Sequence, residues 1–324
     1  MERKYSVILG NLGNTKDRFC GGYKTNPTTM EMLKQAAAIE YVKGIELVGT
    51  WDIDVDNAKE MKRALDDLGL QCVSIIPDLF ANKLYWKGAY TSKEAPVRRQ
   101  AIDYTKQMCD VAEFLGCPTI NIWAGQDGYD YLFTADYIQE REYARQALVE
   151  LAEAYPKLKF ALEYKPKEPR THSYMARLGD TLLLALSTGC DNVGISIDTG
   201  HSVVAGENVA EAIAIAGNAG RLFHMHFNDN YAFWDDDMIV GSIHSVPYLE
   251  MLYWLDRVQY AGWLSMDQYP YREDAASAIK ESIEWLVWFD ELQRTHKEEL
   301  DEVIRSGDPV LMSKTLRQMM AGKR

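Results

Sequence analysis

Cysteine is scarce and poorly organised in this sequence of 324 residues. The five thiols, Cys20, Cys72, Cys109, Cys117 and Cys190, are scattered, odd in number and never spaced C-x-x-C. That excludes a disulfide framework or a thiolate zinc site as the organising device. Most sit among apolar neighbours, where buried thiols are expected. Positive charge is also short: 35 Lys and Arg against 48 Asp and Glu leave a net charge of −13. Duplex DNA carries about one negative charge per 1.7 Å. A general nucleic-acid surface is therefore disfavoured, as is the anionic face of a membrane. No apolar run approaches the roughly 20 residues that span a bilayer. Met1-Glu2-Arg3-Lys4 is followed by too short an apolar stretch for a signal peptide. These absences predict a soluble cytoplasmic protein with a neutral or cationic ligand, or a metal.

The chain is rich in what a large core needs, with 47% hydrophobic and 11% aromatic residues. Disorder is excluded at that content. Short apolar runs predict strands at Ser6–Gly10, Gly44–Val48, Gln71–Ile76, Thr119–Trp123, Lys159–Tyr164, Val193–Asp198, Leu222–Phe227 and Gly262–Asp267. Continuous apolar runs of this length suit strands buried on both faces of a parallel sheet. Apolar residues at three- and four-residue spacing predict helices at Thr28–Val42, Asn57–Leu68 with an Asn cap, Val97–Leu115, Asp136–Ala154, Thr171–Ser187, Val209–Ala216, Tyr248–Tyr260 and Asp274–Leu292. Eight strand-then-helix units predict a (β/α)8 TIM barrel over residues 1–292. A doubly wound open sheet fits less well, because no glycine-rich phosphate loop follows the first strand. Residues 293–324 turn polar and then resume a helical pattern. They form a short C-terminal helical extension, either solvated or an arm on a neighbouring subunit.

Chemistry gathers where the last four strands end. The segments are Glu163-Tyr164-Lys165-Pro166-Lys167-Glu168-Pro169, Asp198-Thr199-Gly200-His201, His224 to Asp229 running on to Asp235-Asp236-Asp237, and Met266-Asp267. A carboxylate or imidazole at the end of a buried strand is costly unless paired or bound to a cation. Taken singly, each has a plain reading as a helix N-cap, a salt-bridge partner or a solvated acidic loop. Together they predict one site, since groups at the carboxyl ends of barrel strands share one mouth. Glu163, Asp198, His226 and Asp267 form an oxygen-rich set with one imidazole, suited to Mn²⁺, Mg²⁺ or Co²⁺. Asp198, His201, Asp235 and Asp237 form a possible second set, with Asp198 shared, so one or two ions per subunit are expected. His224 is expected to point away from the site if His226 points toward it, by strand alternation. His172 is expected at a helix start, and His244 is weighed as a lining residue. Lys165 shares Glu163's side of the strand and can donate to a substrate carbonyl, or simply pair with Glu163 or Asp198. Trp123 is either an apolar wall for a carbohydrate or ordinary packing.

These motifs resemble the xylose isomerase group of metal-dependent aldose–ketose isomerases. Glu163–Pro169 resembles its E-P-K-P-x-E-P segment, which supplies a metal ligand and the catalytic lysine. Asp198 to His201 resembles its carboxylate-x-x-His pair, and Asn228, Asp235 and Asp237 its asparagine and D-x-D loop. Asp267 with Pro270 and Arg272, Trp123-Ala124-Gly125 and Asp78-Leu79-Phe80 are similar to further segments. The resemblance implies a free monosaccharide substrate, Lys165 and His201 as catalytic residues, Trp123, Trp51, Asn228 and Phe80 at the sugar, and a homo-oligomer (dimer or tetramer). It also implies a hydride shift between adjacent carbons, or enediol proton transfer if one ion binds. His226 stands where xylose isomerases carry aspartate and L-rhamnose isomerases carry histidine. Trp51 stands where xylose isomerases have the histidine linked to ring opening. Rivals on the same barrel are 3-epimerases and the metal-bearing subunits of enzymes that cleave C-glycosides. A metal phosphodiesterase would want more histidines and a basic groove, which the charge of −13 opposes. A sugar-binding barrel without activity leaves Lys165 and the double ligand set unexplained.

Overall fold

Eight aliphatic runs make the strands β1 Lys4–Ile8, β2 Val42–Val48, β3 Gln71–Ile76, β4 Thr119–Ile122, β5 Lys159–Glu163, β6 Val193–Asp198, β7 Leu222–Phe227 and β8 Trp263–Met266. In the computed structural model, which describes residues 2–16 and 19–322, they close into one parallel barrel in sequence order. The closure pairs first strand with last: Lys4 lies opposite Trp263 and Val7 opposite Met266. Closure removes every open sheet edge. It also explains the strand sequences, because inner and outer faces are both covered and both must be apolar. Ile45, Ile75, Ile120, Ile195 and Leu264 have no exposed surface. The observed strands differ from the expected ones by no more than two residues at either end.

Helices Thr29–Ala38, Ala58–Leu68, Ala95–Leu115, Tyr137–Ala154, Leu178–Ser187, Val209–Asn218, Ser245–Arg257 and Ala275–Thr295 follow the strands in turn. The first starts at a capping box, in which the Thr28 hydroxyl accepts from Glu31 N–H and the Glu31 carboxylate accepts from Thr28 N–H. Two helices stop at glycines with φ of 68° and 73°, Gly69 and Gly116, a conformation other residues adopt at a cost. Asn57 does not cap its helix with its side chain. Its side-chain oxygen accepts from Asp54 N–H and its amide donates to the Asp52 carbonyl, so both groups are turned back onto the preceding turn and away from the cap.

The helix expected from Thr171 begins only at Leu178. His172-Ser173 instead pairs antiparallel with Gly128-Tyr129, and the His172 ring stacks on Tyr129 at 4.7 Å. Position 128 must be glycine here, since a Cβ would lie 2.0 Å from the His172 carbonyl oxygen. This two-stranded pairing braces the segment that follows Glu163. Beyond position 292 the last barrel helix continues to Thr295, and helices Lys297–Ser306 and Pro309–Met320 complete the chain. Met319 of the final helix is 2% exposed and packs into the barrel core. No helix among the described residues is long and apolar enough to cross a membrane.

A candidate metal centre at the barrel mouth

Parallel strands deliver their carboxyl ends to one mouth, and register decides which side chains meet there. Glu163 lies opposite Ser196, Asp198 opposite His226, and His226 opposite Ser265. As a result one ligand atom each from Glu163, Asp198, His226 and Asp267 falls within 4.8 Å of the others. His226 Nδ1 is 3.4 Å from Glu163 Oε2 and 3.4 Å from Asp267 Oδ2. Asp198 also caps the short helix Thr199–Val204, its Oδ1 accepting from His201 N–H at 2.8 Å. The capping role and the ligand role are therefore held by one carboxylate. The cap sets the His201 ring, with Nε2 3.0 Å from Asp235 Oδ2 and Nδ1 3.2 Å from Glu163 Oε1. Asp198, His201 and Asp235 form a second group within 4.8 Å.

The electrostatics are those of negative charge short of a partner. Burial disfavours the charged imidazoles, yet Asp198 and Asp235 push the pKa of His201 well up, and Glu46 and Glu163 do the same for His226. Burial raises Asp198 to about 6; His201 pulls it down, while Asp235, Asp267 and Glu163 push it up. Burial and the Asp235 and Asp267 charges raise Asp237 well above the carboxylate range. Protons drawn onto buried imidazoles and carboxyls occupy the place that a divalent cation fills. His226 Nδ1, His201 Nδ1, Asp235 Oδ1 and Asp267 Oδ1 are buried without a hydrogen-bond partner among the described residues. For His201 Nδ1 the nearby Glu163 oxygen is close but poorly aligned. Unsatisfied lone pairs converging on one space, carboxylate-rich with imidazole, fit a divalent cation.

Lys165 is buried, with Nζ 2.8 Å from Asp235 Oδ2 and 2.6 Å from Glu168 Oε2. Its partners are thus not Glu163 or Asp198. Burial would lower its pKa, but Asp235, Glu168 and Asp237 outweigh that and hold it charged. Its ammonium stands 5.2 Å from the Trp123 ring centre. Above these groups opens a cavity of about 370 Å³. One wall is aromatic: Phe80 lies 4.5 Å from Trp123 and 5.6 Å from Trp51, ring centre to ring centre. Trp51 is 47% exposed and donates its indole N–H to Asp78 at 3.1 Å. The other wall carries Glu163, Lys165, His201, Asp235, Asp237 and Asp267.

Several expectations need correction. Asn228 does not face the cavity; it is fully buried and donates its amide to Asp198 at 2.9 Å. Asp237 lines the cavity but stands outside the second ligand group, turned by a positive φ of 51°. His224 does not line the cavity, yet strand alternation is not the reason, because it shares the face of His226. Residues two apart on a strand share a face, and both imidazoles reach the same carboxylate, Glu46. His244 is held by Asp229 at 2.7 Å and does not line the cavity, and His172 lies in the short antiparallel pair rather than a helix. Residues outside the expected set also belong to the site: Glu46, Asn121, which donates to Glu163 at 2.6 Å, and the lining residues Tyr269, Tyr271 and Lys16. A glutamate inside Gly44–Val48 and an asparagine inside Thr119–Ile122 break otherwise apolar runs, and that was the available signal. Burial and the charges of His224 and His226 oppose each other at Glu46, and the imidazoles win, holding its carboxyl well below the usual range.

A closed (β/α)8 barrel with a carboxylate and imidazole cluster at its C-terminal mouth defines the structural class. Within it, the chain belongs to the xylose isomerase-like TIM barrel family, whose profile it matches over residues 33–287. It is 31% identical over 191 residues to the xylose isomerase of Thermus thermophilus, covering 57% of this chain and 49% of that protein. The chain thus spans about half the length of the curated relatives it matches. Among solved structures, a D-tagatose 3-epimerase-like protein aligns with a TM-score of 0.70 at 20% identity, covering 89% of this chain and 99% of the other. L-ribulose 3-epimerase aligns with a TM-score of 0.71 at 16% identity, covering 92% and 97%. At that identity the two likenesses speak for the fold.

Proposed function

We propose that this chain is a divalent-metal-dependent aldose–ketose isomerase acting on a free monosaccharide. The observation that carries the reading is Asp198, shared by two adjacent ligand groups, with Lys165 held 2.8 Å from Asp235 of the second. The resemblance to curated xylose isomerases supports it. Glu163, Asp198, His226 and Asp267 would hold one cation, and Asp198, His201 and Asp235, with Asp237 nearby, a second. Mn²⁺, Mg²⁺ or Co²⁺ suits the donors. When bound, such an ion supplies Lewis acidity toward sugar oxygens, worth several kcal/mol of barrier.

The remaining chemistry belongs to side chains. Phe80, Trp123 and Trp51 offer an apolar face to sugar C–H groups. Five carboxylates, Glu163, Glu168, Asp235, Asp237 and Asp267, line the cavity against Lys16, Lys165 and His201, which favours an uncharged polyol over a phosphosugar. Lys165 stays protonated and acts as a donor to the carbonyl oxygen, where negative charge develops. Isomerisation moves one hydrogen between neighbouring carbons and one proton between their oxygens in the same direction, so no external oxidant is needed. Asp237 lines the cavity beside Asp235 and is placed to carry the hydroxyl proton. If only the four-residue group is loaded, His201 is free to act as the base.

A second reading, a sugar 3-epimerase, is favoured by Trp51. Its indole is a donor only and is already committed to Asp78, so no base stands there for ring opening. Incubation with free pentoses, hexoses and deoxyhexoses and each of the three ions separates the two. Aldose–ketose interconversion is expected. Ketose epimers alone would establish the second reading, and inertness toward all sugars would overturn both.

A further inference from the structure

Glu46 lies inside the barrel on β2, fully buried, and takes no part in the chemistry above. Its two oxygens are both engaged. Oε1 is 2.8 Å from His224 Nε2, and Oε2 is 3.2 Å from His226 Nε2. Both imidazoles rise from β7, two positions apart and therefore on the same face. In the closed order β1 and β8 separate β7 from β2, so the contact spans the barrel interior.

A buried ionic set of this kind is poor value for stability alone, since well-packed apolar residues usually do as well or better. Nor do the three side chains make a further cation site. Each carboxylate oxygen already sits at hydrogen-bond distance from one imidazole nitrogen, and neither is among the buried atoms left without a partner, unlike those at the barrel mouth. The arrangement does decide one thing. An imidazole that donates its Nε2 proton to a carboxylate carries its free lone pair on Nδ1. His226 Nδ1 is the atom that faces Glu163 and Asp267, at 3.4 Å from each, and it lacks a hydrogen-bond partner among the described residues.

We propose that Glu46 is a positioning residue that keeps the proton of His226 on Nε2 and thereby presents Nδ1 to the cation. His224 occupies the other Glu46 oxygen and stops the carboxylate from rotating away from His226. A ligand histidine held from behind by a carboxylate is both better oriented and more basic. The inference rests on the cation-site reading above and is independent of which sugar reacts.

The test is Mn²⁺ binding by calorimetry, without sugar. Glu46→Gln keeps the shape of the side chain but offers one acceptor in place of two. Its Mn²⁺ affinity is expected to fall by about 10–100-fold, while the circular dichroism of the ion-free protein holds and its unfolding midpoint drops, since two buried imidazoles lose a charged partner. His224→Gln leaves the Glu46–His226 bond in place and is expected to cost less than Glu46→Gln. In the Mg²⁺-loaded wild-type protein, ¹⁵N-histidine spectra are expected to put the His226 proton on Nε2. A folded Glu46→Gln with unchanged Mn²⁺ affinity overturns the proposal, and so does a His226 proton on Nδ1. If Glu46→Gln does not fold, the wild-type spectrum decides alone. A wild-type protein that binds no divalent cation sinks the cation site and this inference together. Sugar turnover is no part of the readout, so a failed sugar screen leaves these results standing.

Discussion

The two halves of the barrel mouth are built from opposite materials. Strands β5 to β8 lead into Glu163, Asp198, His226 and Asp267, all drawn to one point. Strands β1 to β3 end at Ile8, Val48 and Ile76, which pack with Phe80 into a small apolar cluster of their own. Buried carboxylates behave differently in each half. Asp198 has neighbours of both signs, and its position near 6 is a balance among them. Asp52, in the turn after β2, is raised to about 6 by burial, against a backbone N–H from Val48 that favours its charged form. One half concentrates carboxylates that Lys165 and the imidazoles offset in part; the other supplies a dry wall on which a lone charge is simply expensive.

Removing the cation should erase the distinction most completely. Chelation followed by dialysis is expected to abolish sugar turnover, and Mn²⁺ should restore it. At an ion concentration of about 100 times Kd, binding adds about 2.7 kcal/mol of stability, so the melting temperature should rise on reloading. Ion counts of one or two per chain distinguish the four-residue group acting alone from both groups acting together.

Substitutions in the charged half come next. Glu163→Gln and Lys165→Met are each expected to lower kcat/KM by about 10²–10³-fold, the scale of losing one preorganised group, with folded near-ultraviolet dichroism retained. Full turnover in Lys165→Met would take the lysine out of the chemistry.

Asp52 tests the other half by stability rather than rate. A folded pKa of about 6 against 3.8 means that the native state holds its proton longer than the unfolded chain. Stability from this group therefore falls as pH rises from about 4 to 6, and the cost is complete above that. Asp52→Asn keeps an acceptor for Val48 N–H and removes the charge. Urea unfolding should show a gain at pH 8 of at most about 3 kcal/mol, vanishing near pH 4. The smallest effect is expected at the wall itself. Phe80→Ala should raise KM about tenfold with little change in kcat, because apolar contact serves ground and transition states alike.

The barrel was legible because a closed parallel sheet demands apolar strands, and eight such runs stand out against the helices between them. The charged half of the site was legible for the same reason: Glu163, Asp198 and Asp267 sit at the ends of those runs, where polar residues are conspicuous. The aromatic wall was harder to read. Trp51, Phe80 and Trp123 follow three different strands, and no sequence spacing records that their rings would meet. Asn228 was misread because its neighbour in space, Asp198, is 30 positions away along the chain. The face of His224 was misread through a slip of strand parity, and Glu46 was overlooked although a glutamate in the run Ile45-Glu46-Leu47-Val48 is itself a signal.

The seam between first and last strands has a further outcome. Arg3 binds Asp290, 287 positions later, and β1 waits for β8 as its second neighbour. Ribosomes add roughly 5–20 residues per second. A nascent β1 therefore keeps one unpaired flank for on the order of ten seconds or longer, the interval in which chaperones and stray strands compete for it.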